Sequence, residues 1–137
     1  NRVELHMEIQ HIKNFMELQK LRFPVEGRVE LSVAPDLQNH LIHPLLFIHF
    51  IENAFKFGVD SETPPDIYFR FETTPEGIIF QSKNKVLIEA SREDNTGIGL
   101  SNVKRRLELL YPDKHELLIS KEHGFFIVSL HITCHGN

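Results

Sequence analysis

The chain has 137 residues, of which 41% are hydrophobic and 25% are charged, as expected of a single folded domain. Its formal net charge of -4 argues against a nucleic-acid-binding surface, and its one cysteine, Cys134, excludes a disulfide framework. The longest strongly apolar stretch, residues 45–51, falls far short of the ~20 residues that cross a bilayer.

Hydrophobic spacing predicts helices and strands in the first half of the chain. A helix is predicted over residues 2–22, because its apolar residues recur at a spacing that places them on one face. Alternating apolar residues predict a strand at 28–33, and a loop follows at 34–43. A second, largely buried helix is predicted to open at Pro44 and to be capped at its C-terminus by Gly58.

The second half of the chain predicts two hairpins separated by a helix. The first hairpin joins strands at 67–71 and 78–82, an irregular polar loop follows at 84–96, and a helix covers 100–110. The last hairpin pairs strands at 116–121 and 125–132. This order predicts a two-layer α/β sandwich, with a mixed, mostly antiparallel sheet and helices on one face.

The helix after Pro44 carries a narrow polar stripe on an otherwise apolar surface. Its members recur at helical spacing and therefore share one face: His49, Glu52, Asn53 and Lys56. One interpretation is an amphipathic helix whose polar face meets water. The other is a ligand site, because a carboxylate and an amide offer the hard oxygen ligands that Mg²⁺ prefers, and a lysine one turn on can neutralise phosphate charge.

Two glycines, Gly97 and Gly99, directly precede the helix predicted at 100–110. Glycine lets the backbone approach a ligand closely, and the first N–H groups of a helix attract anions. Residues 104–106 are all cationic and add positive charge within two turns. The pattern is typical either of a phosphate cradle or of an ordinary glycine-rich loop entering a helix. It matches neither a Rossmann fingerprint nor a P-loop.

Taken together, residues 52–58 (ENAFKFG) and 97–100 (GIGL) resemble the N box and the second glycine box of the Bergerat-fold (GHKL) ATPases. The continuation at 101–107 (SNVKRRL) and the ending at 109–112 (LLYP) resemble LytS-type sensor histidine kinases in particular. Residues 2–22 are similar to the tail of the dimerisation helix of such kinases. The resemblance covers nearly the whole chain and implies the histidine-kinase ATPase fold.

The resemblance also implies roles for individual residues. Asn53 would hold Mg²⁺, Glu52 would polarise the attacking nucleophile or order the metal's water, and Lys56 would contact phosphate. The two glycines would let the 84–96 segment close as a lid over the triphosphate. The glycine box and one downstream arginine complete the implied nucleotide-binding set: Gly97, Ile98, Gly99, Leu100 and Arg106.

By the same resemblance, residues 1–22 end a dimerisation helix or linker, and residues 23–137 form the ATP-binding catalytic domain of a two-component sensor histidine kinase. The implied reaction transfers the γ-phosphoryl of ATP, with Mg²⁺, to a histidine upstream of this chain. The expected partners are the kinase's own dimerisation and phosphoacceptor domain, a second copy of the parent, and a response regulator, but no nucleic acid. The domain is expected in the cytoplasm, with its parent anchored in the membrane.

Two features of the family are absent from this sequence. No histidine lies in the Pro-His-Phe phosphoacceptor motif, so the chain is not expected to phosphorylate itself. The Asp-x-Gly box, whose aspartate accepts a hydrogen bond from the adenine amino group, is replaced near the end of the 78–82 strand by Lys83 and Asn84. Lysine has no acceptor, whereas Asn84 offers an amide oxygen, so Asn84 is the candidate substitute.

Two other functions are compatible with the same residues. A degenerate kinase, which senses nucleotide or docks partners without transferring phosphate, would explain the lost Asp-x-Gly box, although the intact Glu52–Asn53 pair disfavours it. A chaperone-type or repair-type ATPase would hydrolyse ATP as an isolated domain, and the helix at 2–22 argues against it. His40 and His43 lack ligand partners at metal-binding spacing and are expected to be surface histidines.

Overall fold

The computed structural model describes residues 1–23, 26–89 and 98–134, with only the backbone described for Ile98 and Gly99. A short 3₁₀-helix at Lys20–Arg22 extends the first α-helix. The helices and strands in chain order are β1 (Val3–Glu4), α1 (Leu5–Gln19), β2 (Arg28–Val33), β3 (Leu41–Ile42), α2 (Ile48–Gly58), β4 (Asp66–Thr73), β5 (Gly77–Lys85), α3 (Ile98–Leu110), β6 (His115–Glu122) and β7 (Phe125–Thr133).

Five of these strands form one mixed sheet in the order β2-β4-β5-β7-β6. Strands β2 and β4 run parallel, and the other neighbouring pairs are antiparallel. Strands β1 and β3 form a separate antiparallel pair, in which Val3 faces Ile42 and Glu4 faces Leu41. The predicted α/β sandwich with a mixed, mostly antiparallel sheet is therefore confirmed.

One face of the five-stranded sheet is buried beneath the helices. Alternate side chains of the central strands point to this face, among them Phe69 and Phe71 of β4 and Phe80 of β5. Phe47, just before α2, lies 5.1 Å from Phe71 and 5.2 Å from Phe80 between ring centroids, and Phe50 of α2 lies 5.8 Å from Phe80. Such aromatic pairs stabilise the core beyond their buried area. The apolar faces of α1 and α3 join the same core cluster.

The second helix begins four residues later than the sequence predicts, at Ile48 instead of Pro44. The prediction that Pro44 opens this helix is wrong, because Leu45 has a φ of +58°, a left-handed conformation that interrupts any right-handed helix. The predicted glycine cap is also wrong. Gly58 is the last helical residue, and the cap is Val59 in an extended conformation.

Strand β5 runs to Lys85, so the first two residues of the predicted 84–96 loop belong to the sheet. Asn84 is paired on both sides, with β4 and with β7. Residues 86–89 are irregular, as predicted. The remainder of the predicted loop, 90–96, lies outside the described residues.

The other elements lie close to their predicted positions. Helix α3 begins two residues early, and the predicted loop at 34–43 contains the short strand β3. Both hairpins are confirmed. In the second one, His123 and Gly124 have φ values of 53° and 83° and form the kind of two-residue turn that matches strand twist. Within the described ranges, no helix combines the length and apolarity that a membrane span requires.

Candidate functional site

The polar stripe of α2 follows the edge of the helix that faces solvent. Glu52 and Lys56 are exposed, and Asn53 is half-buried. His49 Nδ1 lies 3.7 Å from Glu52 Oε1, and Lys56 Nζ lies 5.2 Å from the centroid of the Phe57 ring. The opposite side of α2 is buried against the sheet. The core therefore fixes the helix, while the Glu52–Asn53 pair stays accessible to a ligand.

Asn84 is a buried polar residue at the end of β5, with 1% of its surface exposed. Its Nδ2 donates a hydrogen bond to the carbonyl oxygen of Lys85 at 3.2 Å. It also lies against the last turn of α2, since a Cβ added to Gly58 would be 3.3 Å from both Cβ and Nδ2 of Asn84. Because Nδ2 is engaged with a carbonyl, the amide oxygen Oδ1 is the acceptor that remains on this side chain.

The segment that leaves β5 is tied to the end of α2. The carbonyl oxygen of Phe57 accepts hydrogen bonds from the N–H groups of Leu87 at 2.8 Å and Ile88 at 3.0 Å. The N–H of Val86 donates to the carbonyl of Gly124, in the turn between β6 and β7, at 2.9 Å. Carbonyls in the last turn of a helix lack partners within the helix. The bonds from Leu87 and Ile88 therefore satisfy the carbonyl of Phe57, and they hold this segment beside the end of α2.

Helix α3 begins at Ile98, where the sequence predicts a helix entered through a glycine box. Gly97 lies outside the described residues, and only the backbone is described for Ile98 and Gly99. Leu100 is half-buried. The first N–H groups of a helix have no intrahelical acceptor and meet the positive end of the helix dipole. This end of α3 can therefore bind an anion.

Arg106 of α3 contacts the turn that precedes α2. Its Nη1 donates to the carbonyl of Leu45 at 2.9 Å, and its Nη2 donates to the carbonyl of Pro44 at 3.1 Å. The planar fork of a guanidinium suits two neighbouring oxygens, which a lysine could not bind in the same way. The family resemblance implies that Arg106 contacts a nucleotide. That role stays a prediction, because the contacts seen here are with backbone carbonyls.

Glu8 is a residue that sequence reasoning missed. It is 4% exposed, and its Oε1 accepts a hydrogen bond from the N–H of Leu45 at 3.1 Å. A signal was present in the sequence, because Glu8 lies three residues after Leu5 and four before Ile12, on the apolar face of α1. An acidic residue at a buried helical position requires a polar partner, and here that partner is the backbone of a distant turn.

The prediction that His40 and His43 are surface histidines is wrong. His40 is buried, and its Nε2 donates to the carbonyl of Thr74 at 2.9 Å. His43 is half-buried, and its ring stands edge-on to the ring of Tyr111. Its pKa is lowered mainly because burial disfavours the charged imidazolium. The described parts of the chain contain no group of three or more His, Cys, Asp or Glu residues that could hold a metal ion.

Sequence comparison relates the chain to bacterial sensor proteins, although no protein-family model matches it. Sensor protein LytS of Staphylococcus saprophyticus is 22% identical over 149 residues, covering 99% of this chain and 25% of that protein. Sensor histidine kinase/phosphatase LytS of Staphylococcus aureus is 25% identical over 124 residues, covering 80% of this chain and 21% of that protein. The chain thus spans about a quarter of the length of these relatives.

Several solved histidine kinases share this fold. AdeS of Acinetobacter baumannii superimposes with a TM-score of 0.67 at 14% identity, covering 99% of this chain and 68% of that one. The histidine kinase ThkA, in complex with the response regulator protein TrrA, gives 0.63 at 12% identity, covering 98% and 42%. The chain has the fold of a histidine kinase catalytic domain. Within that class its sequence is similar to the LytS sensor proteins, which confirms the resemblance that its motifs indicated.

Proposed function

We propose that the chain is the ATP-binding catalytic domain of a two-component sensor histidine kinase of the LytS type. It binds ATP with Mg²⁺ and transfers the γ-phosphoryl group to a histidine that lies outside this chain. One observation carries the proposal. The accessible Glu52–Asn53 pair lies on α2, and the buried Asn84 of β5 lies against Gly58 at the end of the same helix. The fold that carries them is shared with histidine kinase catalytic domains.

The spacing along α2 suits an extended nucleotide. Asn53 precedes Gly58 by five residues, about 7.5 Å along the axis at 1.5 Å per residue. Asn84 lies against Gly58, so it marks one end of the site and Asn53 marks the other. The adenine would lie at the Asn84 end, where the amide oxygen accepts a hydrogen bond from the 6-amino group. The phosphates would lie towards Asn53 and the start of α3.

Mg²⁺ fits the donor set at the phosphate end. Glu52 and Asn53 present a carboxylate and an amide oxygen at an accessible helix edge, and this ion takes few protein ligands and completes its shell with water and substrate oxygens. When bound, the ion neutralises charge on the transferring group. Among the chain's own residues, Asn53 would hold the ion, and Glu52 would orient the attacking nucleophile or a water. Lys56 binds a phosphate oxygen, and the first N–H groups of α3 bind others.

The partners follow from the same proposal. The phosphoacceptor histidine belongs to the dimerisation domain of the parent, which works as a homodimer, and a response regulator receives the phosphoryl group. ThkA, solved with a response regulator, is the structural neighbour that supports a partner of this kind. Residues 1–22 belong to the link with the dimerisation domain and residues 23–137 to the catalytic domain. The domain works in the cytoplasm, beneath a membrane-anchored sensor region.

A degenerate module without phosphoryl transfer draws its support from the missing Asp-x-Gly box. The position of Asn84 weakens that support. Asn84 is buried near the end of β5, and its Nδ2 is already bonded, which leaves an acceptor oxygen for adenine. The amide therefore meets the chemical requirement that the missing carboxylate would have met.

Calorimetric titration with a non-hydrolysable ATP analogue, with and without Mg²⁺, tests the binding claim. Wild-type protein is expected to bind in a Mg²⁺-dependent manner. In Asn53→Ala the Mg²⁺ dependence is lost, whereas Asn84→Ala weakens binding by roughly fivefold with or without the ion, because a hydrogen bond contributes about 1 kcal/mol. Asn84→Asp keeps an acceptor oxygen at this position and is therefore expected to bind the analogue more tightly than Asn84→Ala.

Asn14→Ala is the matched control, because Asn14 is an exposed amide on α1. Circular dichroism checks whether each variant keeps its fold. Transfer is tested separately, by adding labelled ATP and the parent's phosphoacceptor domain in trans. Binding without transfer to that domain would contradict the kinase assignment and favour the degenerate module. Rapid ATP hydrolysis by the chain alone would favour a chaperone-type ATPase instead.

A further inference from the structure

The connector between β2 and α2, defined as residues 39–45, is held by α1 from one side. The N–H of Leu5 donates to the carbonyl of His40 at 2.9 Å, and the N–H of His6 donates to Asn39 Oδ1 at 3.0 Å. The residue before α1 makes no side-chain cap, so the connector supplies the acceptors that the first turn of this helix lacks.

The last residue of the connector, Leu45, is held through both of its peptide groups. Its N–H donates to the buried Oε1 of Glu8 on α1, at 3.1 Å. Its carbonyl, together with that of Pro44, accepts from the guanidinium of Arg106 on α3. Two helices that are distant in sequence therefore bind the same turn, which has the left-handed φ of +58° that a leucine rarely adopts.

A second contact ties α3 to the connector. The hydroxyl oxygen of Tyr111, just after α3, accepts a hydrogen bond from the N–H of His43 at 3.0 Å, and the two rings stand edge-on at 5.3 Å. Tyr111 is buried. The connector is thus fixed at three successive residues, and α2 begins three residues after Leu45.

The contacts around the Leu45 turn include two features that lower the stability of the fold. Left-handed backbone at a leucine is unfavourable, and a buried carboxylate oxygen needs a partner to offset its lost hydration. Within the described residues, Glu8 Oε2 has no hydrogen-bond partner. Strained backbone that is held from several sides is typical of places where geometry matters for function. The helix that follows, α2, carries Glu52 and Asn53.

We propose that Glu8 and Arg106 are positioning residues, which lock the Leu45 turn and so set the start of α2 relative to α3. This inference rests on the proposed nucleotide site, whose two parts lie on those helices. In this role Arg106 acts through the backbone of the turn and not through a phosphate. The affinity for nucleotide then depends on Glu8, which lies on α1 and contacts the turn instead of the Glu52–Asn53 stripe.

The first test needs no nucleotide. Amide hydrogen exchange of the whole chain reports whether the N–H of Leu45 is protected. We expect protection in the wild type, a loss of at least about fivefold in Glu8→Ala, and recovery in Glu8→Gln, whose amide oxygen still accepts the bond. An unprotected Leu45 N–H in the wild type, or unchanged protection in Glu8→Ala, would overturn the lock.

The second test is titration of the same variants with the ATP analogue and with ADP. We expect Glu8→Ala and Arg106→Lys each to weaken both ligands by about three- to tenfold, because a lysine cannot bind two carbonyls as the guanidinium does. Glu8→Gln is expected to bind like the wild type. In the double variant Glu8→Ala/Arg106→Lys, the fold-loss of nucleotide affinity should be smaller than the product of the two single fold-losses, because both residues act through one turn.

The outcomes separate the possible roles. If Arg106→Lys keeps full affinity and Arg106→Ala weakens ATP much more than ADP, Arg106 binds a phosphate and the proposal is wrong. If Glu8→Ala lowers the unfolding midpoint without changing nucleotide affinity, Glu8 is only structural, and the proposal is also wrong. If the wild type binds no nucleotide, the proposed function fails and takes the positioning role with it, whereas the exchange data still show whether the turn is locked.

Discussion

Substitutions of Leu45 measure the free-energy cost of the left-handed backbone in this turn. Left-handed backbone costs a residue with a Cβ about 1–2 kcal/mol, and glycine escapes this cost. Within a regular helix or strand, glycine makes the folded protein less stable than alanine does by roughly 0.5–1 kcal/mol, because glycine gives the unfolded chain more conformational freedom. Since Leu45→Gly and Leu45→Ala both lose the same side chain, we expect the glycine variant to be more stable than the alanine variant by about 0.5–1 kcal/mol.

Leu41 provides the matched control. It is 54% exposed, against 50% for Leu45, but it lies in the extended strand β3. There the order should invert, with Leu41→Gly less stable than Leu41→Ala by about 0.5–1 kcal/mol. Urea unfolding of the four variants, compared at equal m-values, measures both differences. If glycine is the less stable residue at both positions, the left-handed turn at Leu45, and the argument built on it, are wrong.

Three further predictions concern other parts of the fold. His123→Asn should raise the free energy of unfolding by roughly 0.5 kcal/mol, part of the left-handed penalty, because asparagine accepts the positive φ of this turn; urea unfolding would show no gain if the turn differs. Gly77→Ala should lower that free energy by about 3 kcal/mol or more, because its Cβ would lie 1.8 Å from the carbonyl oxygen of Ile132; an unchanged melting temperature would contradict the packing of β5 on β7. Burial lowers the pKa of His43 from 6.5, so the unfolded state binds the proton more readily, and stability should fall as the pH drops below 6.5. Urea unfolding between pH 7.5 and 5 should show a smaller fall in His43→Phe, and equal falls would exclude His43 as the cause.

Local pattern was sufficient for most of the sheet and for the helix faces. Phe69 and Phe71 alternate with polar residues, and this period of two predicts strand β4 whatever surrounds it. The turn at His123-Gly124 was likewise visible from residue type. The polar stripe of α2 could also be predicted, because helical spacing alone places Glu52 and Asn53 on one side of the helix.

The start of α2 could not be predicted in the same way. Pro44 favours a first helical turn, but Leu45 adopts a left-handed conformation that its own chemistry disfavours. The cause lies elsewhere in the chain, in Glu8 and Arg106, which bind the peptide groups of the turn. A conformation that depends on two partners so distant in sequence leaves no local signal.

Asn84 shows the same limit at the other end of the site. The polar stretch that follows the predicted 78–82 strand has no apolar alternation, and it therefore predicts an irregular segment over residues 84–96. The neighbouring strands β4 and β7 extend β5 to Lys85, and this pairing buries Asn84. The close approach to Gly58 could not be predicted either, because it depends on how α2 crosses the sheet.

The proposed site places ATP between the end of α2 and the start of α3. Chemical-shift mapping of the backbone amides, with the non-hydrolysable ATP analogue and Mg²⁺, locates the bound nucleotide. We expect the largest shifts at residues 52–58, 84–88 and 98–101, and little change in β6. Shifts confined to the edge strands β2 and β6, or no shifts at millimolar nucleotide, would show that ATP does not bind there.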